Sequence, residues 1–164
     1  LADVTLLHGG SYTASAVGEV NVVNQMKATD AVIGGEGNGG IIVPELHYGR
    51  DAIAGIALML SHLALKNLSM SALRAGYPNY EIIKEKIALT PSIDVDQLLE
   101  SLKSRFKNEN TNTVDGLKID FPHGWVHLRK SNTEPSIRLY AEAATIEKAE
   151  ELAALIQVEV DKII

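Results

Sequence analysis

The spacing of apolar residues divides this chain into two halves. Across residues 50–67, Ile53, Ile56, Leu58, Leu60, Leu63 and Leu65 occupy nearly every helical face. That pattern predicts a helix buried between layers. Before it, residues 3–8 read as the end of a helix broken by Gly9-Gly10, residues 11–16 as a short strand and residues 19–27 as a short helix. Ala31-Val32-Ile33 reads as a buried strand running into a glycine run, and Ile41-Ile42-Val43 as a strand ended by Pro44. This half predicts part of an α/β layered domain.

Turn chemistry at Gly76-Tyr77-Pro78-Asn79 marks the change, giving domains over residues 1–75 and 76–164. Residues 80–89 predict a strand with charged flanks. Asp94 is placed to cap a helix carrying Val95, Leu98, Leu99, Leu102 and Phe106 on one side. The spacing then changes to two: Leu117, Ile119 and Phe121, then Val126 and Leu128, then Ile137 and Leu139. Thr145 is placed to cap a last helix with a stripe of Ile146, Ala149, Leu152, Ile156, Val160 and Ile163. The second half is therefore expected to be a compact α+β domain.

Alternation has a chemical consequence. If Val126, Leu128, Ile137 and Leu139 face the core, Arg129 and Arg138 point away from it together. Between them runs Lys130-Ser131-Asn132-Thr133-Glu134-Pro135-Ser136, a Pro-punctuated turn rich in donors. Guanidinium forks match phosphate oxygens and stay charged at any working pH. The loop reads as an anion site, most simply for phosphate; the bland alternative is a solvated hairpin with two surface arginines.

Composition limits what else the chain can be. A net charge of −6 leaves no broad basic patch for nucleic acid, so anion binding must be local. With 46% apolar residues a real core is affordable, and with no cysteine there are no disulfides or thiolate sites. The absence of cysteine fits a reducing cytoplasm. The apolar run at residues 52–65 is shorter than the roughly 20 residues a membrane span needs. The five histidines show no metal-ligand spacing. Ser15 has no His or Asp near it in sequence to make it a nucleophile.

Gly35, Gly37 and Gly40 match the G-x-G-x-x-G dinucleotide pattern, but Ile41-Ile42-Val43-Pro44 follows where a helix should open. Glu36 would also meet a pyrophosphate with the wrong charge. Glu36 and Asn38 suit neutral hydroxyls better, since a carboxylate accepts from a diol and an amide both donates and accepts. An ordinary glycine turn with an exposed Glu is the equal alternative.

Arg129-Lys130-Ser131-Asn132-Thr133-Glu134-Pro135, with Arg138 and Glu142 downstream, closely resembles the phosphate-binding loop of the α-D-phosphohexomutases. Gly34-Gly35-Glu36-Gly37-Asn38-Gly39-Gly40 is similar to that family's sugar-binding loop, and Val17-Gly18-Glu19-Val20 with Met26-Lys27 to the segment before it. The resemblance implies the last part of a Rossmann-like α/β third domain, truncated, and a TATA-binding-protein-like α+β fourth domain. It implies that Glu36 and Asn38 hold sugar hydroxyls and that Arg129, Ser131, Asn132 and Thr133 hold the distal phosphate, with Arg138 in support. The implied reaction interconverts hexose 1-phosphate and 6-phosphate through a bisphosphorylated sugar. It uses a phosphoserine and Mg2+ held by other domains; no T-A-S-H-N-P or D-G-D occurs in this chain. The expected chain is thus a C-terminal piece of a cytoplasmic enzyme, with no catalytic or metal-binding residue of its own. Its expected partners are a phosphosugar and the remaining N-terminal domains, not nucleic acid or membrane. Asn38 stands where the family usually has Ser, which leaves the sugar specificity open. Glu19 stands where some glucose- and mannose-using members have His, so their preference need not hold here; glucosamine phosphate is the favoured expectation. A glucose- or mannose-phosphate specificity, or a stand-alone phosphosugar-binding module, are the alternatives.

Overall fold

A computed structural model describes residues 1–131 and 133–164. Among these residues the chain forms two compact units, Leu1–Pro78 and Asn79–Ile164.

In the first unit, helices α1 (Ala2–Leu7) and α2 (Glu19–Thr29) precede strands β1 (Gly34–Gly35), β2 (Ile41–Val43) and β3 (His47–Arg50). Helices α3 (Ala52–Lys66) and α4 (Met70–Ala75) follow. The strands form an antiparallel sheet in the order β1-β2-β3. Helix α3 starts where Asp51 accepts from the Ala54 N–H at 2.9 Å, satisfying one of the donors a helix N-terminus leaves open. It stops at Asn67, which adopts a left-handed conformation that Asn tolerates better than most residues.

Three expectations fail in this unit. Residues 11–16 form no strand; they lie between Gly9 and Gly18, both at positive φ, and find no pairing partner among the described residues. Ala31-Val32-Ile33 is not a strand either. Asp30 ends α2 in a left-handed turn, the Ala31 N–H returns to the Met26 carbonyl, and pairing starts only at Gly34. Val32 is 83% exposed. Helix α3 is present but is not buried all round: only Ala54 is buried, while Ile53 and Leu65 are 80% and 85% exposed. The sheet touches α3 along a narrow side where Gly55 abuts Ile41, too little to cover an apolar cylinder.

The second unit follows its pattern closely. Strand β4 (Glu81–Ala88), helix α5 (Val95–Arg105), strands β5 (Asn110–Asn112), β6 (Leu117–Phe121), β7 (Gly124–Lys130) and β8 (Ser136–Ala143), and helix α6 (Ile146–Asp161) build it. All pairings are antiparallel, in the order β4-β8-β7-β6-β5, so the first strand closes on the last. Leu117, Ile119, Val126, Leu128, Ile137, Leu139 and Ala141 point to one face, under α5 and α6. Each of these Leu, Ile and Val side chains contributes roughly 1.5–3 kcal/mol when fully buried. Phe106 and Phe121 close one end edge to face, with centroids 5.7 Å apart.

Both helix caps are as expected. Asp94 accepts from the Asp96 and Gln97 N–H groups, and Thr145 from that of Lys148. The stripe of α6 is largely the expected one: Ala149, Ile156 and Val160 are buried, joined by Ala153, and Leu152 and Ile163 pack against the core, while Ile146 at the start of the helix is exposed. The units meet between Pro78 and Asn79, three residues beyond the expected boundary.

Leu102 on α5 is fully buried in this core. Leu102→Ala is expected to cost about 2–5 kcal/mol of stability through the cavity left behind. Urea unfolding of the chain checks this, and a loss under about 1 kcal/mol would contradict the packing described.

Candidate functional site

The phosphate-type loop connects two strands whose pairing fixes its chemistry. β7 and β8 pair Leu128 with Leu139 and, one residue further along β7, Arg129 with Arg138. Because successive side chains alternate, the two arginines share the sheet face that carries no helix. β4 adds a third cation, since Lys86 pairs with Arg138 on the other side. Lys86, Arg138 and Arg129 thus form a row across three adjacent strands, which stand about 4.8 Å apart in any sheet.

Like charges placed opposite each other on a sheet repel. Two carboxylates partly balance this row. Arg129 Nε lies 3.3 Å from Asp115 Oδ2, and Lys86 pairs with Glu134. The Lys86 ammonium, and then Arg138, hold the Glu134 carboxyl below the usual glutamate range. Three cations against two anions leave the row with a net positive charge, which an incoming anion would satisfy.

The loop is held at its root. The Ser131 N–H donates to the Ser136 carbonyl at 3.0 Å, and the Leu89 N–H to the Pro135 carbonyl at 2.9 Å. Ser131 is half-buried and Thr133 exposed at the tip; the expected contribution of Asn132 lies outside the described residues. Lys130 points to the opposite face from its neighbour Arg129 and pairs with Asp96 at 3.1 Å. A cleft of about 470 Å³ lies on that side, lined by Thr90, Ser92, Asp96, Lys130, Ser131 and Glu134. Neither Arg129 nor Arg138 lines it, so the cleft and the cation row are separate features sharing the loop.

Lys86 did not emerge from the sequence. Its segment reads as a charged strand, but only the long-range pairing of β4 with β8 places Lys86 beside Arg138, and no local spacing reports that register.

The glycine run in the first unit forms the turn between β1 and β2, not the start of a helix, so the dinucleotide pattern is coincidental. The Glu36 N–H donates to the Gly40 carbonyl and the Gly39 N–H to the Glu36 carbonyl, both at 3.0 Å. Gly39 needs no side chain at φ 97°, and a Cβ on Gly35 would stand 2.2 Å from the Gly40 carbonyl oxygen. Asn38 Oδ1 accepts from the Gly40 N–H at 3.0 Å, and its Nδ2 donates to Glu36 Oε2 at 3.4 Å. Asn38 therefore shapes the turn and orients Glu36 at once. Glu36 is half-buried, Asn38 exposed.

The remaining candidates stay structural. Ser15 Oγ donates to the Ala16 carbonyl at 2.9 Å. His62 lies half-buried on α3. Among the described residues no group of three or more His, Asp or Glu is arranged to hold a metal ion.

An α/β unit carrying a glycine turn, followed by an α+β unit with a five-stranded sheet, is the layout of the C-terminal part of a phosphohexomutase. The chain belongs to the phosphoglucomutase/phosphomannomutase family: residues 1–80 match its alpha/beta/alpha domain III and residues 86–157 its C-terminal domain. It is 34% identical over 88% of its length to a probable phosphoglucosamine mutase of Methanopyrus kandleri. It is 36% identical over 77% of its length to a phosphoglucosamine/phosphogalactosamine mutase of Sulfurisphaera tokodaii. A phosphoglucomutase/phosphomannomutase of Thermococcus kodakarensis is 32% identical over 94% of the chain. These alignments take in 32%, 28% and 34% of the relatives, so the chain spans about a third of their length. The fold also matches a crystal structure of a phosphoglucomutase/phosphomannomutase family protein from Burkholderia thailandensis, with a TM-score of 0.79 at 24% identity, covering 98% of this chain and 34% of that one.

The Glu134 carboxylate is expected to titrate below an ordinary glutamate, and Lys86→Met to raise it towards that range, with Arg138 still holding it down in part. A depressed folded pKa means that the pairing contributes above the unfolded pKa and is lost as pH falls through the folded one. Side-chain carboxyl titration by NMR checks both; a normal midpoint in the parent chain would contradict the pairing.

Proposed function

We propose that this chain is the substrate-binding C-terminal part of a phosphohexomutase that interconverts hexose 1-phosphate and 6-phosphate through a bisphosphorylated sugar. The observation that carries the reading is the Lys86–Arg138–Arg129 row, a net-cationic strip ending at a loop of hydroxyl donors. It suits a phosphate that is held rather than transferred, because charge-assisted donors fix its position without supplying a nucleophile or base. Glu36, oriented by Asn38, suits sugar hydroxyls. The phosphoryl-transferring serine and its Mg2+ belong to segments this chain does not contain.

In this reading Arg129, Ser131, Asn132, Thr133 and Arg138 hold whichever phosphate is distal to the reacting end. The loop receives the 1-phosphate and the 6-phosphate alternately as the intermediate reorients. Glucosamine phosphate is the favoured substrate, supported by relatives named for phosphoglucosamine. We place the reaction in the cytoplasm, the location the family reading implies.

The test uses the full-length protein with glucosamine, glucose and mannose phosphates compared by kcat/KM, where glucosamine phosphate is expected to lead. Arg129→Ala is expected to cost about 2–4 kcal/mol in kcat/KM, the loss of a donor to a charged ligand. No turnover of any hexose phosphate, or near-parental kcat/KM in that variant, would refute the reading.

A further inference from the structure

Helix α2 grips the glycine hairpin through one long-range ion pair. Glu19 opens the helix, and its Oε1 accepts from the backbone N–H of Arg50 at 3.2 Å while Oε2 lies 2.9 Å from Arg50 Nε. One carboxylate thus fixes both the main chain and the side chain of a residue 31 positions away. Arg50 ends β3 and pairs with Ile42 of β2. Its aliphatic stem lies against Gly40, where a Cβ would come 2.8 Å from Arg50 Cδ. Gly40 in turn makes the two hydrogen bonds that shape the turn, accepting from the Glu36 N–H and donating to Asn38 Oδ1. The contacts run without a break from Glu19 through Arg50 and Gly40 to Glu36 and Asn38.

The same helix touches the hairpin at two other points. Met26 is buried under Gly34, and Lys27 Nζ sits 4.7 Å from the Tyr48 ring centroid. Those contacts anchor β1 and β3. The Glu19–Arg50 pair is the one of the three that reaches the residue closing the turn. With side chains 34% and 54% exposed, a pair of this kind contributes little to folding stability. Its effect is on where the turn sits.

We propose that Glu19 and Arg50 are a positioning pair that sets the place of Glu36 and Asn38, and so controls recognition of the sugar but not of the phosphate. The inference rests on the sugar-binding reading of the glycine turn. Displacing a contact group by about 1 Å can cost on the order of 100-fold in rate, so a brace with little effect on stability can still govern activity.

The test uses the full-length protein carrying Glu19→Ala, Arg50→Ala, the double variant, Glu19→Gln and, as a reference, Glu36→Ala. Each single alanine variant is expected to lower kcat/KM for the hexose phosphate about 10- to 100-fold. The double variant should be no worse than the poorer single one, since the two residues act as one unit. Glu19→Gln, which keeps an acceptor for the Arg50 N–H, should lose less. Inhibition by inorganic phosphate should be unchanged in all of them, because general damage would move it and a displaced sugar turn would not. Losses that multiply in the double variant, a parallel loss of phosphate inhibition, or kcat/KM within twofold of the parent would overturn the pair's role. If Glu36→Ala is impaired and the Glu19 and Arg50 variants are not, only this inference falls. If Glu36→Ala is silent, the sugar-binding reading falls with it.

Discussion

The second unit is organised around a repulsion. Pairing Arg129 with Arg138 across two hydrogen-bonded strands, and Lys86 with Arg138 on the next, puts three cations side by side. A sheet gains nothing from that arrangement alone. It is tolerated because Asp115 and Glu134 stand next to the row and because the apolar face beneath leaves no choice. Leu128, Leu139, Ile137 and Ile87 alternate with the cations and are buried, and a slip of one residue would exchange the two sets. Core burial therefore enforces a charge cluster that an anion can complete.

The same logic separates the two sides of the loop. Lys130, one residue from Arg129, lands on the helix side and is tied to Asp96 at the start of α5. The cleft there is bordered by that pair, while the arginines face the open side. In the first unit no large core is available, and the glycine turn is shaped by local hydrogen bonds and by the grip of α2. One loop is positioned by a packed sheet, the other by a small set of polar contacts.

How much of this is legible in the sequence follows from range. The period of two across residues 116–140 shows that Arg129 and Arg138 leave the core together, and Asp94 and Thr145 announce their helices through capping chemistry. Lys86 is invisible because its place depends on β4 joining β8, a contact between the two ends of the domain. The strand expected at residues 31–33 rests on a short apolar run and the one at 11–16 on a short segment between glycines; neither forms without a partner to pair with. Helix α3 is legible as a helix but not in its burial, since an all-round apolar pattern describes what could be covered and not what covers it. For the site, residue types at the two loops point to their chemistry, whereas the Glu19–Arg50 brace spans 31 residues with no repeating pattern to reveal it.

The most direct measurement is an NMR titration of the chain with inorganic phosphate against chloride at equal ionic strength, read at the arginine side-chain N–H signals. The Arg129 and Arg138 signals are predicted to shift together along one binding curve. Arg50 on β3 and Arg105 on α5 lie outside the row and should stay in place. If Arg129 and Arg138 do not respond, or if they shift no more than Arg50 and Arg105 do, the cation row is not an anion site.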